Sequence, residues 1–117
     1  MTRTDLQRLS DARDFARQAQ GNAGGLSADV LAEATQPLHA ALFDLVVIGE
    51  ALNKVSAEVQ AAAPEIPWRA VADLRNIIVH SYWQVDLELI AGIIEKEIDP
   101  LVEKLEKLIA VIERTEK

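Results

Sequence analysis

The chain contains no cysteine in 117 residues. Disulfides, zinc–thiolate sites and cysteine nucleophiles are therefore excluded. Histidine is nearly as scarce: His39 and His80 are the only two. With no HxxxH spacing and no His–carboxylate cluster, the expectation is no metal. Aromatics make up 4% of the residues, with five glycines and four prolines. A β-rich chain would carry more aromatics, and a disordered one more glycine and proline. Long apolar runs are missing too. "ALFDLVVIG" and "LIAGII" are too short and too interrupted to cross a bilayer. The N-terminal "MTRTDLQRLSDARDF" is charged and has no apolar signal core. We therefore expect a soluble, cytoplasmic protein with no membrane association. Basic charge is in deficit, with 12 Lys and Arg against 19 Asp and Glu, a net charge of −7. Such a chain is a poor general nucleic-acid binder, so an RNA role would need a local basic cleft. Neither a P-loop nor a Gly-rich nucleotide fingerprint is present, and no cofactor is expected.

What is abundant is Ala, Leu, Ile, Val and Glu, in helical periods. The length suits one domain over residues 1–117 with a single core. Thr4 and Gln7 have capping-box spacing before the stripe Leu6, Leu9, Ala12, Phe15, Ala16 and Ala19. "GNAGG" from Gly21 should stop that helix. Ser27 can cap "ADVLAEAT", and Pro37 can open or kink the next helix. "LHAALFDLVVIGEALNKVSAEVQ" then reads as one long central helix. Gly49 inside it costs about 1 kcal/mol relative to Ala, which points to another backbone approaching closely. Pro64 and Pro67 break the pattern, and Pro67 can start a helix through "WRAVADLRNIIVHSY". Asp86 can cap "LELIAGIIEKEI", and Asp99–Pro100 can start the last helix. The fold class is all-α: an up-and-down bundle of about four long helices plus short pieces.

On a wheel of ~100° per residue, Val71, Leu74 and Ile78 face the core. Arg69, Asp73, Asn76 and His80 lie nearly opposite, and Arg75, Val79 and Tyr82 on a flank. Arg75 and His80 are splayed by ~140°. They can still converge through the length of Arg, fraying near His80, or a second subunit. An imidazole titrates near neutrality and can donate or accept a proton. A guanidinium can fork onto a phosphate. Asn76 can hydrogen-bond the imidazole or orient the phosphate. That set suffices for metal-free RNA cleavage, because RNA supplies its own 2′-hydroxyl nucleophile. The competing reading is an ordinary solvated helix face. Glu50 is either a buried partner orienting Arg75 or a surface carboxylate, and its apolar neighbours favour the first. Trp68 and Trp83 read as packing anchors, with base stacking open to Trp83.

"RNIIVHSY" resembles the Arg–polar–apolar–His motif of the HEPN superfamily, and the Tyr two beyond the His resembles its HepT toxin subgroup. "IGEALNKVS", "PEIPWRAVADLRN" and "VDLELIAGIIEKEIDPLVEKL" resemble that subgroup's central helix, catalytic-helix entry and closing segments, in the same order. Ser81 stands where an acidic residue is common. The resemblance implies a HEPN-like bundle that forms a homodimer with both motifs in a shared cleft. It implies a metal-independent ribonuclease toxin acting on RNA, with an MNT-type nucleotidyltransferase antitoxin as partner. That partner would transfer AMP to the motif tyrosine. Matched residue by residue, Arg75 and His80 are the catalytic pair, Asn76 the polar companion and Tyr82 the AMP acceptor, with Glu50 in support. Two rival roles are a non-catalytic HEPN subunit that regulates a nucleotidyltransferase and a plain dimerisation scaffold.

Overall fold

Residue Thr4 starts the first long helix as its spacing predicts. In the computed structural model, which describes residues 3–115, the Thr4 hydroxyl accepts from the Gln7 backbone N–H at 3.1 Å. The Gln7 side chain accepts from the Thr4 N–H at 2.8 Å. Helix α1 (Asp5–Ala23) follows. It runs past Gly21, where the glycine-rich stretch predicts a stop. The residue that ends it is Gly24, whose φ of 59° is the left-handed turn a Cβ disfavours. Leu9, Ala12, Ala16 and Ala19 are buried in a row. The three alanines let the neighbouring backbones come close.

The segment after Ser27 is shorter than its pattern suggests. Helix α2 (Ala28–Leu31) is one turn, and the Ser27 side chain makes no cap. A carboxylate from a distant helix, Glu95, accepts from the Ala28 N–H instead, at 2.7 Å.

Helix α3 (Thr35–Asn53) carries Pro37 in its first turn, where a missing N–H costs nothing. It stops at Asn53 rather than continuing through Gln60. Two residues of α1 hold the break. Arg8 donates to the Lys54 carbonyl, and Asp5 accepts from the Ser56 N–H and hydroxyl at 3.0 and 2.6 Å. Val55 turns into the core, and Ser56 caps α4 (Ala57–Ala62).

Asp44 sits on the α1-facing side of α3 with no solvent exposure. Gln18 and Asn22 of α1 each donate an amide N–H to one of its oxygens, at 2.7 and 2.6 Å. Burial pushes this carboxyl above its ordinary range, and the two amides oppose the shift. Its contribution to stability therefore falls as pH rises through its folded pKa.

Helix α5 (Trp68–His80) opens after Pro67, with the Trp68 indole donating to the Ala63 carbonyl at 2.9 Å. Trp68 is thus a packing anchor. Val71, Leu74 and Ile78 lean on the core, yet no residue of α5 is fully buried. The helix rests mainly on α3. After a 3-10 turn (Tyr82–Gln84), α6 (Leu87–Lys96) is capped by Asp86, which accepts from the N–H groups of Glu88 and Leu89. Helix α7 (Ile98–Thr115) begins just before the Asp99–Pro100 pair and buries Leu101, Leu105, Leu108 and Ile109. Between α5 and the α6–α7 pair lies an open apolar groove of about 440 Å³, lined by Leu45, Ile48, Leu74, Ile77, Ile93 and Leu101.

The architecture is all-α, as the periodicity implies, with no strand among the described residues. No described helix is long and apolar enough to cross a membrane.

Candidate active site

The crossing of α3 over α5 is set by Gly49. A Cβ added there would lie 2.4 Å from the Arg75 Cβ, 3.0 Å from its Cγ and 3.1 Å from the Val71 carbonyl. No side chain fits that space. The mid-helix glycine therefore meets a neighbouring helix at close range, and the stem it meets is that of Arg75.

With its stem so placed, Arg75 turns its guanidinium to two neighbours. One terminal nitrogen, Nη2, is 3.0 Å from Glu50 Oε2. The other, Nη1, donates to Asn76 Oδ1 at 2.9 Å. Its Nε is buried and has no partner among the described residues. The second oxygen of Glu50 is held by Lys54 Nζ at 2.8 Å. Glu50 thus bridges two cations. The Lys54 hydrogen bond is the main cause that holds its carboxyl below the usual range. Desolvation works against this, and the positive charges of Lys54 and Arg75 add to the lowering. The ion pairs are therefore present above the ordinary carboxylate range and are lost as pH falls through Glu50's depressed pKa.

Glu50 is not the buried partner its apolar neighbours suggest. Its side chain is 43% exposed. Pairs this open contribute at most about 1 kcal/mol to stability. Their consequence here is orientation: two contacts on one guanidinium aim its remaining N–H groups.

His80 is the last residue of α5 and is exposed. The helix stays intact through it and ends only at Ser81, whose φ is −139°. The fraying that could bring the imidazole back toward Arg75 is absent. Five residues of unbroken helix leave the two side chains splayed by ~140° and separated by ~7.5 Å along the axis. The structure therefore gathers Arg75, Asn76 and Glu50, while His80 is splayed from Arg75 and lies one turn beyond Asn76 on the same face.

Tyr82 and Trp83 project from the 3-10 turn at 75% and 69% exposure. Their rings meet edge to face, with centroids 5.5 Å apart. Tyr82 does pack on Trp83, and it is open to solvent as well. Ile77, Val79, Leu87 and Leu89 are also exposed in this region of the chain. His39 is an exposed helix residue. Among the described residues no group of three or more His, Cys, Asp or Glu could hold a metal ion.

Lys54 is a residue the linear pattern could have revealed, since it lies four positions after Glu50 on a helical stretch. Arg3 and Arg8, which line a pocket with Glu50 and Lys54, left no such signal.

Comparison with known families decides the classification. The HepT-like family, described as ribonuclease HepT-like, matches residues 6–108. The chain belongs to the HepT-like ribonuclease family. Among its relatives, "Probable ribonuclease HepT" of Thermococcus cleftensis is 36% identical over 64 residues, 55% of this chain and 58% of that protein. "Putative RNase MJ0127" of Methanocaldococcus jannaschii is 25% identical over 108 residues, 92% of this chain and 84% of that one. A third, from the same archaeon, is "Gamma-glutamylcyclotransferase and putative RNase MJ0434". It is 31% identical over 68 residues, 58% of this chain and 31% of its own length. The chain thus spans less than two thirds of the length of two of these three relatives. No solved structure matches. The match to the HepT-like family covers the whole α3–α5 crossing, Arg75 and His80 included.

Proposed function

We propose that this HepT-like chain is a metal-independent endoribonuclease and the toxin of a toxin–antitoxin pair, acting in the cytoplasm without a cofactor. The observation that carries the reading is Arg75. Its stem is locked by Gly49 and its fork is oriented by Glu50 and Asn76, on a helix that ends in an exposed imidazole. In this mechanism His80 takes the proton from a ribose 2′-hydroxyl. The freed oxygen attacks the adjacent phosphorus, and the bond to the 5′-oxygen breaks. That oxygen leaves with a proton from an imidazolium, and a 2′,3′-cyclic phosphate remains. Arg75 stabilises the charge added at phosphorus, in the electrostatic role of an oxyanion hole. Asn76 keeps the guanidinium in register.

The splay between Arg75 and His80 leads to a symmetric homodimer. Two α5 helices facing across a two-fold axis would place the arginine of one protomer near the imidazole of the other. Exposed Ile77, Val79 and Trp83 supply apolar surface for such a contact. The direct test is incubation of the purified chain with RNA in EDTA. We expect undiminished cleavage and products with 2′,3′-cyclic phosphate ends. Loss of cleavage on chelation, or 3′-hydroxyl products, would exclude this chemistry.

Control falls to Tyr82. An MNT-type nucleotidyltransferase antitoxin would transfer AMP from ATP to the phenol, which at 75% exposure is within a partner's reach. A bulky anion at the end of α5 would compete with substrate phosphate for the arginines and obstruct the cleft. Tyr82→Phe keeps the ring and removes the acceptor oxygen. The variant is expected to stay toxic and to resist the active transferase, while wild type gains AMP on the Tyr82 peptide by mass spectrometry. Equal silencing of both proteins by a transferase that cannot bind ATP would point to simple occlusion.

A second reading is favoured by one observation. Within one chain the Arg75–His80 pair is not assembled, while the aromatic end of α5 is exposed. A non-catalytic HEPN subunit that binds and regulates a nucleotidyltransferase would look the same. It would show no cleavage with EDTA or with added magnesium.

A further inference from the structure

A pocket of about 570 Å³ lies between the start of α1 and the end of α3. Arg3, Arg8 and Lys54 line it, together with Asp11 and Glu50. Arg3 is neutralised: its Nε and Nη2 each donate to one oxygen of Asp11 at 2.8 Å. Lys54 is neutralised by Glu50. Arg8 differs. Its side chain donates to the Lys54 backbone carbonyl and has no carboxylate partner among the described residues. A concave site therefore holds one uncompensated guanidinium flanked by two further cations, in a chain whose net charge is −7.

The pocket is also joined to Arg75. One oxygen of Glu50 holds Lys54, which lines the pocket, and the other holds Arg75. The two cations flank a single carboxylate. A polyanion with regularly spaced charges could occupy both positions, whereas a lone small anion could fill only one.

We infer that the Arg3–Arg8–Lys54 pocket is a second phosphate subsite, which binds the RNA backbone beside the phosphate held at Arg75. The inference rests on the ribonuclease reading and deepens it. Arg8 supplies the primary contact. Lys54 and Arg3 add to it as their carboxylate partners yield to phosphate. The subsite would give an acidic chain a local cationic contact for RNA. Single-stranded RNA releases ~0.7 counterion per phosphate neutralised, so one contact contributes about fivefold in affinity at 0.1 M salt.

The test uses the full chain carrying His80→Ala, which slows turnover, and a 5′-fluorescein 12-nucleotide RNA followed by anisotropy. Adding Arg8→Gln keeps a donor for the Lys54 carbonyl and removes the charge. It is expected to raise Kd about fivefold at 0.1 M salt and to flatten the slope of log Kd against log salt by ~0.7. Adding Asp11→Asn instead releases Arg3 from its carboxylate and is expected to lower Kd. A merely structural role for either residue would not move affinity in opposite directions. Unchanged Kd and salt slope in both variants would overturn the subsite. Cleavage of the same RNA by the chain with His80 intact separates this from the parent reading. Affinity shifts without any cleavage would sink the nuclease and keep the subsite. Cleavage without affinity shifts would sink the subsite alone.

Discussion

His80→Ala is expected to lower RNA cleavage by about 10²–10⁴-fold, the usual contribution of a positioned acid–base group, and to leave the fold untouched. The second half follows from geometry. His80 is exposed at the end of α5, and surface substitutions of this kind change stability by less than about 0.5 kcal/mol. Arg75→Ala should be as inactive, with a modest cost in stability, because Glu50 keeps Lys54 as a partner and stays in contact with water. Arg75→Lys is the informative companion. It keeps the positive charge and loses the fork that Glu50 and Asn76 orient, so it should recover only a small part of the rate. The proposed homodimer allows a complementation test. If each cleft takes its arginine from one protomer and its imidazole from the other, mixing Arg75→Ala with His80→Ala regenerates some sites with both groups intact. Cleavage by the mixture, from two inactive parents, is the expected result. Wild-type rates in His80→Ala alone would remove the imidazole from the mechanism, with circular dichroism confirming that the variant is folded.

The second large effect is expected at a residue that touches no substrate. Gly49→Ala places a Cβ 2.4 Å from the Arg75 Cβ, where ordinary contact needs over an ångström more. One helix has to move. Helix α3 is locked by Leu45, Ile48 and Leu52 in the core, whereas α5 buries no residue completely. The shift therefore falls on α5 and carries Arg75 away from Glu50. Overpacking of this kind costs about 1–3 kcal/mol, and alanine's better helix propensity returns at most about 1 kcal/mol of it. We expect a net loss of stability with a lower Tm, and a fall in cleavage beyond what partial unfolding explains, at a temperature where the variant remains folded. A double-mutant cycle isolates the contact. In an Arg75→Gly background the obstructing Cβ is gone, so Gly49→Ala should destabilise markedly less. Equal costs in both backgrounds would mean that the Val71 carbonyl, 3.1 Å away, is the obstacle instead.

The sequence by itself determined what is local. The Thr4–Gln7 capping box, the Asp86 cap, the proline entries at Pro37 and Pro67, and the helical stripes of α1, α3 and α7 all join residues a few positions apart. Such signals are written in near neighbours, so they point to an all-α bundle and to the order of its helices, although packing stabilises them. Gly49 was legible for a related reason: a glycine inside an apolar helix is costly, and close packing is the usual compensation. Its partner was not legible. That Arg75 lies over Gly49, and Glu50 beside Arg75, depends on the register in which two helices cross, and no single helix encodes that register. The same holds for the break after Asn53. The local pattern continues the helix, but Asp5 and Arg8, more than forty residues earlier, supply contacts that end it. Asp44 is a lone carboxylate in an apolar run until α1 brings Gln18 and Asn22 to it. The tertiary structure alone decided that Glu50 is shared and half exposed. It also decided that α5 stays helical through His80 and splays it from Arg75. Helix geometry dictates that divergence once packing has fixed where α5 ends.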